Sequence, residues 1–474
     1  MPTVSIPLFS RVYKNTDGSV LNDDAAVQYN GFLDELGGLS IRPGEVLAIN
    51  TGDRNDGLYM WPDKNYIVCV DNGNATLRSV SGQTLTTTHG TGTVDVLPGN
   101  MTIFCNDSNY VFMAGGAKIS YMDDSGAITE IADTEAPTTV THIAYLDGYI
   151  LAINGDNRFY WSNIPTTTDW DALDFASAEA NPDNTVGLYV VQRQVYLLGA
   201  VTTEIWENDG TTPFSRIPGG LIETGCAAKY SPIKYGDSLL WINQDWEVVQ
   251  FTGTQFKKIS GRYDQEIQRF STVSDCIGGL VKKEGQTYCV FQFPTENRTL
   301  VYDPVLEDWS EWGFWDSNTS EWISYDFRAA ARDINTGQVF IGKERAGVIA
   351  CLDSSSRVDM TGATTSAPFK FLRQTGHIDH GSSQKKRLEK LTFRAKRGAD
   401  GLTTNPKLML RYRNNGASQW SNITEIDLGA IGDTSHQIKL FRLGIYESRQ
   451  FEISATDDMS IVLSNAEADI TVLR

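Results

Sequence analysis

Residues 65–80 read NYIVCVDNGNATLRSV: an apolar run, a turn of Asp, Asn and Gly, then a run in which apolar and polar residues alternate. This is the pattern of a tight β-hairpin, because Asn-Gly supplies the positive φ angles that short turns need. The unit returns six more times: NYVFMAGGAKISYMDDSG (109–126), GYILAINGDNRFYWS (148–162), VYLLGAVTTEIWENDG (195–210), DSLLWINQDWEVVQFTG (237–253), TYCVFQFPTENRTLVYDP (287–304) and QVFIGKERAGVIACLD (338–353). Equivalent first-strand positions are Tyr66, Tyr110, Tyr149, Tyr196, Leu240, Tyr288 and Phe340, with spacings of 44, 39, 47, 44, 48 and 52 residues. A period of about 45 residues holds one four-stranded sheet, with strands of about five or six residues and their turns. One such sheet cannot bury both its faces. Stacked around an axis, each sheet gains a neighbour on either side and its edges are shielded. The even spacing therefore predicts an all-β chain built on a six- or seven-bladed β-propeller rather than hairpins scattered over one or two sandwiches. Seven hairpins are visible; if the first or last completes another unit's blade, the count falls to six.

The repeat stops near Asp353. SSSRVDMTGATTSAP (354–368) reads as a turn-rich connection. Beyond it, LTFRA (391–395), LMLRY (408–412), FEISA (451–455) and SIVLS (460–464) alternate, with Asn415-Gly416 as a hairpin-type turn. These runs predict a C-terminal antiparallel β-sandwich. Residues 1–40 are rich in Asn, Asp and Gly with scattered apolar anchors (Val27, Phe32, Leu33, Leu36) and read as an extended N-terminal arm. The expected division is 1–40 arm, 41–365 propeller and 366–474 sandwich. The clearest helical signal, residues 263–270, places Ile267 and Phe270 on one side and predicts about two turns at most.

Of the 474 residues, 41% are hydrophobic and 21% charged, the balance of a globular chain rather than a disordered one. No apolar run approaches the roughly 20 residues of a membrane-spanning helix, so no membrane insertion is expected. MPTVSIPLFS lacks a basic segment followed by an apolar one, so no secretory signal is expected either. The net charge of −19 argues against nucleic-acid binding by bulk charge. It is unevenly spread: residues 366–474 carry 16 basic and 12 acidic side chains, a net of +4, against −23 for the rest. Six cysteines (Cys69, Cys105, Cys226, Cys276, Cys289, Cys351) have no CxxC spacing, and several lie in apolar runs. That usage predicts neither zinc nor disulfides, and folding in a reducing compartment.

Catalytic signatures are missing. There is no GxSxG, HExxH, P-loop or GxGxxG. HIDH at 377–380 offers two imidazoles with no further ligands spaced to complete a shell. RNNGASQW at 413–420 resembles the Asp-box turn of sialidases, which is a structural turn with Trp packed beneath it. No catalytic, cofactor-binding or metal-binding residue is assigned, and no enzymatic activity is expected. The densest charge feature is QKKRLEKLTFRAKR, with Lys385, Lys386, Arg387, Lys390, Arg394, Lys396 and Arg397 against Glu389. It reads either as a surface for docking an acidic partner or as a solvated strand face whose Leu391, Phe393 and Ala395 point inward.

Three segments carry a family resemblance. PFSRIPGGLIETGCAAKYSPIKYGDSLLWINQDWEVVQFTGTQFKKIS (213–260) is similar to packaged-DNA stabilisation proteins of short-tailed phages, also called tail nozzle or tail accessory proteins, through Gly219, Gly220, Glu223, Gly225, Cys226, Trp241, Asp245, Gly253, Ile259 and Ser260. FPTENRTLVYDPVLEDWSEW (293–312) matches their next unit through Pro294, Arg298, Thr299, Tyr302, Asp303 and Trp309. The closing strands match through Arg442, Leu443, Gly444, Arg449, Phe451 and Ala466. The resemblance covers roughly residues 210–474 well and the first 200 in style only. One departure is Glu284-Gly285-Gln286, where relatives often carry Gly-His. The resemblance implies a structural protein of the virion tail, assembled in the host cytoplasm. Such a protein would form a homohexameric ring below the portal and its adaptor, retain packaged DNA, and carry tail fibres, spikes or a needle. Double-stranded DNA would pass through the channel without specific binding, which a net-negative wall suits. The competing reading is a propeller that binds or cleaves glycans.

Overall fold

The structure, a computed structural model, describes residues 3–6, 8–9, 26–33, 38–178, 183–210, 213–397, 406–428 and 435–473, apart from the side chains of Thr87, Arg262 and Arg397. Seven four-stranded units follow one another around an axis, six as separate sheets and one as part of a larger sheet. Blade 1 spans 55–93, blade 2 103–130, blade 3 142–177, blade 4 185–222, blade 5 233–258 and blade 6 277–311. Blade 7 takes three strands from 329–353 and its outermost strand, Gly44–Asn50, from the other end of the chain, antiparallel to Val348–Asp353. This exchange closes the ring and leaves no blade incomplete. Each hairpin read from the sequence supplies the second and third strands of one blade.

Why those second strands read as unbroken apolar runs is now plain. Successive side chains point to opposite faces of a sheet, and here both faces are covered. In blade 1, Ile67 and Cys69 pack towards blade 7, while Val68 and Val70 pack towards blade 2. Seven apolar clusters fill the seven spaces between neighbouring blades. All six cysteines are free and buried in these layers, and burial pushes the Cys226 and Cys351 thiols up to about 11.

The helical signal at 263–270 shrinks to a 3-10 turn (Gly261–Tyr263) and one α-turn (Asp264–Ile267). Ile267 and Phe270 are both buried between blades 5 and 6, and the helical residues stay within the two turns expected, displaced towards Gly261.

A second body follows the propeller. One sheet runs Gly31–Leu33, Leu39–Ile41, Ile461–Val472, Lys386–Arg397 and Ser435–Phe441, with Thr3–Ser5 along Ile461–Val472. The other contains Val27–Tyr29, Phe371–Gln374, Arg449–Ala455, Lys407–Asn414 and Thr424–Asp427. They enclose a core that includes Leu33, Phe371, Leu388, Leu391, Phe393, Phe451 and Leu463. Asn415 and Gly416 both have positive φ, 52° and 72°, as their turn requires. The described parts of the expected N-terminal arm are woven into this sandwich as strands; residues 10–25 and Leu36 lie outside the described residues.

Sandwich and propeller share one sheet. Tyr29 pairs in parallel with Glu311 at the outer edge of blade 6, so a nine-stranded sheet runs from blade 6 into the sandwich. Beside this seam Arg298 holds Glu311 through Nε at 2.9 Å and Nη2 at 2.6 Å, and Tyr29 stacks on Trp322 at 3.8 Å.

One buried acid gives a pH prediction. Asp71, in blade 1, is 6% exposed and accepts from Asn55 Nδ2 at 2.9 Å. Burial, opposed by the Asn55 bond and by Arg78, and reinforced by Asp56 and Asp53, raises its pKa to about 6. The folded chain therefore binds this proton more tightly than the unfolded chain. Its stabilising effect is complete below pH 4 and is lost as pH rises through 6. Asp71→Asn keeps the acceptor and removes the charge. It should match the unaltered chain near pH 4 and gain about 2–3 kcal/mol above pH 7, read from denaturant midpoints across pH. An equal gain at both pH values would refute the assignment.

Candidate docking surface

The basic stretch forms the strand Lys386–Arg397 in the centre of the first sandwich sheet. Leu391, Phe393 and Ala395 point into the core, 0–2% exposed. The basic residues do not form one surface. Lys385, Arg387, Arg394 and Lys396 are exposed. Lys390 is half-buried and pairs with Asp469 at 2.7 Å. Lys386 is 1% exposed, its ammonium donating to the carbonyls of Ser382, Gln384 and Glu447 at 2.5, 2.7 and 2.8 Å. It points away from any partner and closes the end of the sandwich instead. The Arg397 side chain lies outside what is described.

The outward face continues sideways into residues that a search for charge alone passes over. Arg387 faces Ile445, and Lys390 faces Phe441 across the strands. Phe441 is 62% exposed and Ile445 47%. The sequence signal was FRLGIY, in which Phe441 and Ile445 stand on either side of Arg442-Leu443-Gly444.

The histidines assemble nothing. His380 lies 3.0 Å from the Tyr446 hydroxyl, while His142 is fully buried with Nε2 3.0 Å from the Lys229 carbonyl. Burial lowers the His142 pKa to about 4, so it is neutral. Among the described residues no group of three or more His, Cys, Asp or Glu is placed to hold a metal. The 413–420 turn does pack its tryptophan: Trp420 lies against Arg411 and Arg413, 5.0 and 4.7 Å from their guanidinium carbons.

The propeller axis is bridged from side to side. Asn100 lies in the connection between blades 1 and 2, Lys229 in the connection between blades 4 and 5, and the Lys229 ammonium donates to the Asn100 side-chain oxygen. Met101, Tyr230 and Phe327, from three different connections, pack in one cluster there with Ile277, the first residue of blade 6.

The residues that carried the resemblance turn out to join blades. Trp241 of blade 5 donates its indole N–H to the Gly225 carbonyl at 2.9 Å. A Cβ on Gly225 would lie 2.3 Å from the Ala200 carbonyl carbon, so only glycine lets the connection pass. Trp309 of blade 6 reaches back to the Ile259 carbonyl at 2.8 Å. Glu284 and Gly285, at the departure from the pattern, form a tight turn with φ of 52° and 84°.

The family model described as bacteriophage P22 Gp10, β-propeller, matches residues 69–357. The chain belongs to this family. It is a phage packaged-DNA stabilisation protein with a β-propeller, associated with the virion, and the family role is structural rather than enzymatic. No curated protein matches the chain. Among solved structures it is similar to the WD40 β-propeller domain of Doa1 at 11% identity, covering 66% of this chain and 97% of that one, with a TM-score of 0.42. It is also similar to the N-terminal domain of Nup159 at 10% identity, covering 69% and 99%, with a TM-score of 0.44. A third is PorZ of Porphyromonas gingivalis, at 10% identity, covering 81% and 46%, with a TM-score of 0.40.

Proposed function

We propose that the chain is a tail nozzle subunit. Several copies, six by the family resemblance, form a ring below the portal and its adaptor that prolongs the DNA channel, keeps packaged DNA in the capsid and anchors fibres, spikes or a needle. The observation that carries the reading beyond the family role is the bridged axis. With Lys229 bonded to Asn100 across the centre and three connections packed beside them with Ile277 of blade 6, the propeller's own axis is not a path for a duplex. A DNA channel then has to lie between copies, which calls for a closed ring. At −19 per chain, copies repel in solution, so the ring forms on the adaptor rather than ahead of it.

The test is a phage deleted for this protein. Its heads should fill and then lose DNA, with genome copies per purified, nuclease-treated head falling at least tenfold and tails lacking their distal parts. Heads that keep their genomes without the protein would end the nozzle reading.

A further inference from the structure

We infer that the outward face of the sandwich sheet around Lys386–Arg397 docks head to tail on blades 2 and 3 of a second copy of this chain. This rests on the ring reading and names its contact. The face has interface composition: exposed Phe441 and Ile445 are framed by Arg387, Arg394 and Lys396, an apolar centre with arginine at its margin. Glu389, Glu467 and Asp469 are its acids; Glu389 lies 3.8 Å from Arg387, and Asp469 is already held by Lys390.

The complementary surface lies on the same chain. Residues 103–222, blades 2–4, hold 16 acidic and 4 basic side chains, a net of −12 and the larger part of the whole chain's −19. Exposed apolar residues sit among them: Leu173, on the outer strand of blade 3, is 81% exposed and Ile164 51%. The Trp170 amide donates to Asp133 at 2.8 Å, tying the loop that carries Glu135 to the strand that carries Asp171 and Leu173.

Within one chain the two surfaces cannot meet. The sandwich is joined to blade 6 through Tyr29 and Glu311, and in a ring of seven blades 2 and 3 lie opposite blade 6. A basic pole at one end and an acidic pole at the other pair only between copies. Such a contact joins two different patches, so repeating it generates a ring when the rotation closes. Opposite charges also fix the direction, since like poles repel.

The test uses full-length chains supplied to a phage deleted for its own copy, with copies per particle counted by quantitative mass spectrometry. One variant carries Arg387→Glu, Arg394→Glu and Lys396→Glu. The other carries Glu130→Lys, Glu135→Lys and Asp171→Lys. All six positions are exposed, and circular dichroism should show both variants folded. Each alone sets like charge against like charge and should incorporate at least tenfold less. Supplied together, the first variant's intact acidic pole meets the second's intact basic face, the reversed surfaces pair likewise, and incorporation should return to within about twofold. If either variant alone incorporates normally, or if the pair fails to rescue, this contact is wrong while a ring by other surfaces stands. If the unaltered chain is present once per particle, the ring reading falls and this contact with it.

Discussion

Arg42→Met should destabilise the chain by about 3–5 kcal/mol, the cost of leaving a buried charge without its partner. Arg42 is completely buried. Its Nη1 and Nη2 donate to the two oxygens of Asp359 at 2.9 and 2.5 Å, and its Nε to the Asn30 side chain at 2.8 Å. The guanidinium carbon lies 3.8 Å from the centre of the Phe369 ring and 4.8 Å from that of Tyr325. A second buried pair adjoins it: Glu45 meets Lys343 at 2.6 Å, receives the Met360 amide at 2.8 Å, and accepts the Tyr325 hydroxyl. These groups come from the chain leading into blade 7, from blade 7 itself and from the hairpin leading to the sandwich. The loss should therefore appear in the first unfolding transition, with the sandwich loosening from the propeller. The check is the denaturant midpoint of Arg42→Met against the double variant Arg42→Met with Asp359→Leu. The double variant leaves no unpaired charge at this pair and should recover most of the loss. A single variant within 1 kcal/mol of the unaltered chain would show that the pair holds nothing together.

Lys386→Glu should cost a similar amount, about 3–5 kcal/mol, and for a related reason. Three backbone carbonyls converge on the Lys386 ammonium. A carboxylate has no proton to give them and adds its own charge to theirs. Arg394→Glu on the same strand is exposed and should stay within about 0.5 kcal/mol. The contrast between two basic residues of one stretch, measured by thermal and denaturant unfolding, separates a structural lysine from surface charge. Equal, small effects would mean that Lys386 is free to turn outward.

The hairpin at 65–80 and its six repeats were legible because periodicity is a local property. Each unit carries its own alternation, its turn residues and its spacing, and stacking identical units leaves few other ways to bury them. The inward positions Leu391, Phe393 and Ala395 were legible for the same reason: strand side chains alternate whatever the partner is. The family resemblance likewise lay in residues such as Gly225 and Trp241, whose tight fit restricts what can stand there.

The blade count was a matter of closure, and only the fold supplied it: Gly44–Asn50 reaches blade 7 across some 300 residues of intervening sequence, a pairing that no local pattern encodes. The fates of the basic residues were decided in the same way. Lys385, Lys386 and Arg387 are adjacent in sequence, yet Lys386 alone is turned into a cage of carbonyls, one of them from Glu447 on a distant loop. Arg42 gave no signal, because an arginine becomes a buried tie only when Asp359 and Phe369 arrive beside it. Alternation and turns follow from the chemistry of neighbouring residues, whereas burial of a charge depends on long-range partners that compensate its desolvation, and those exist only once the chain has folded.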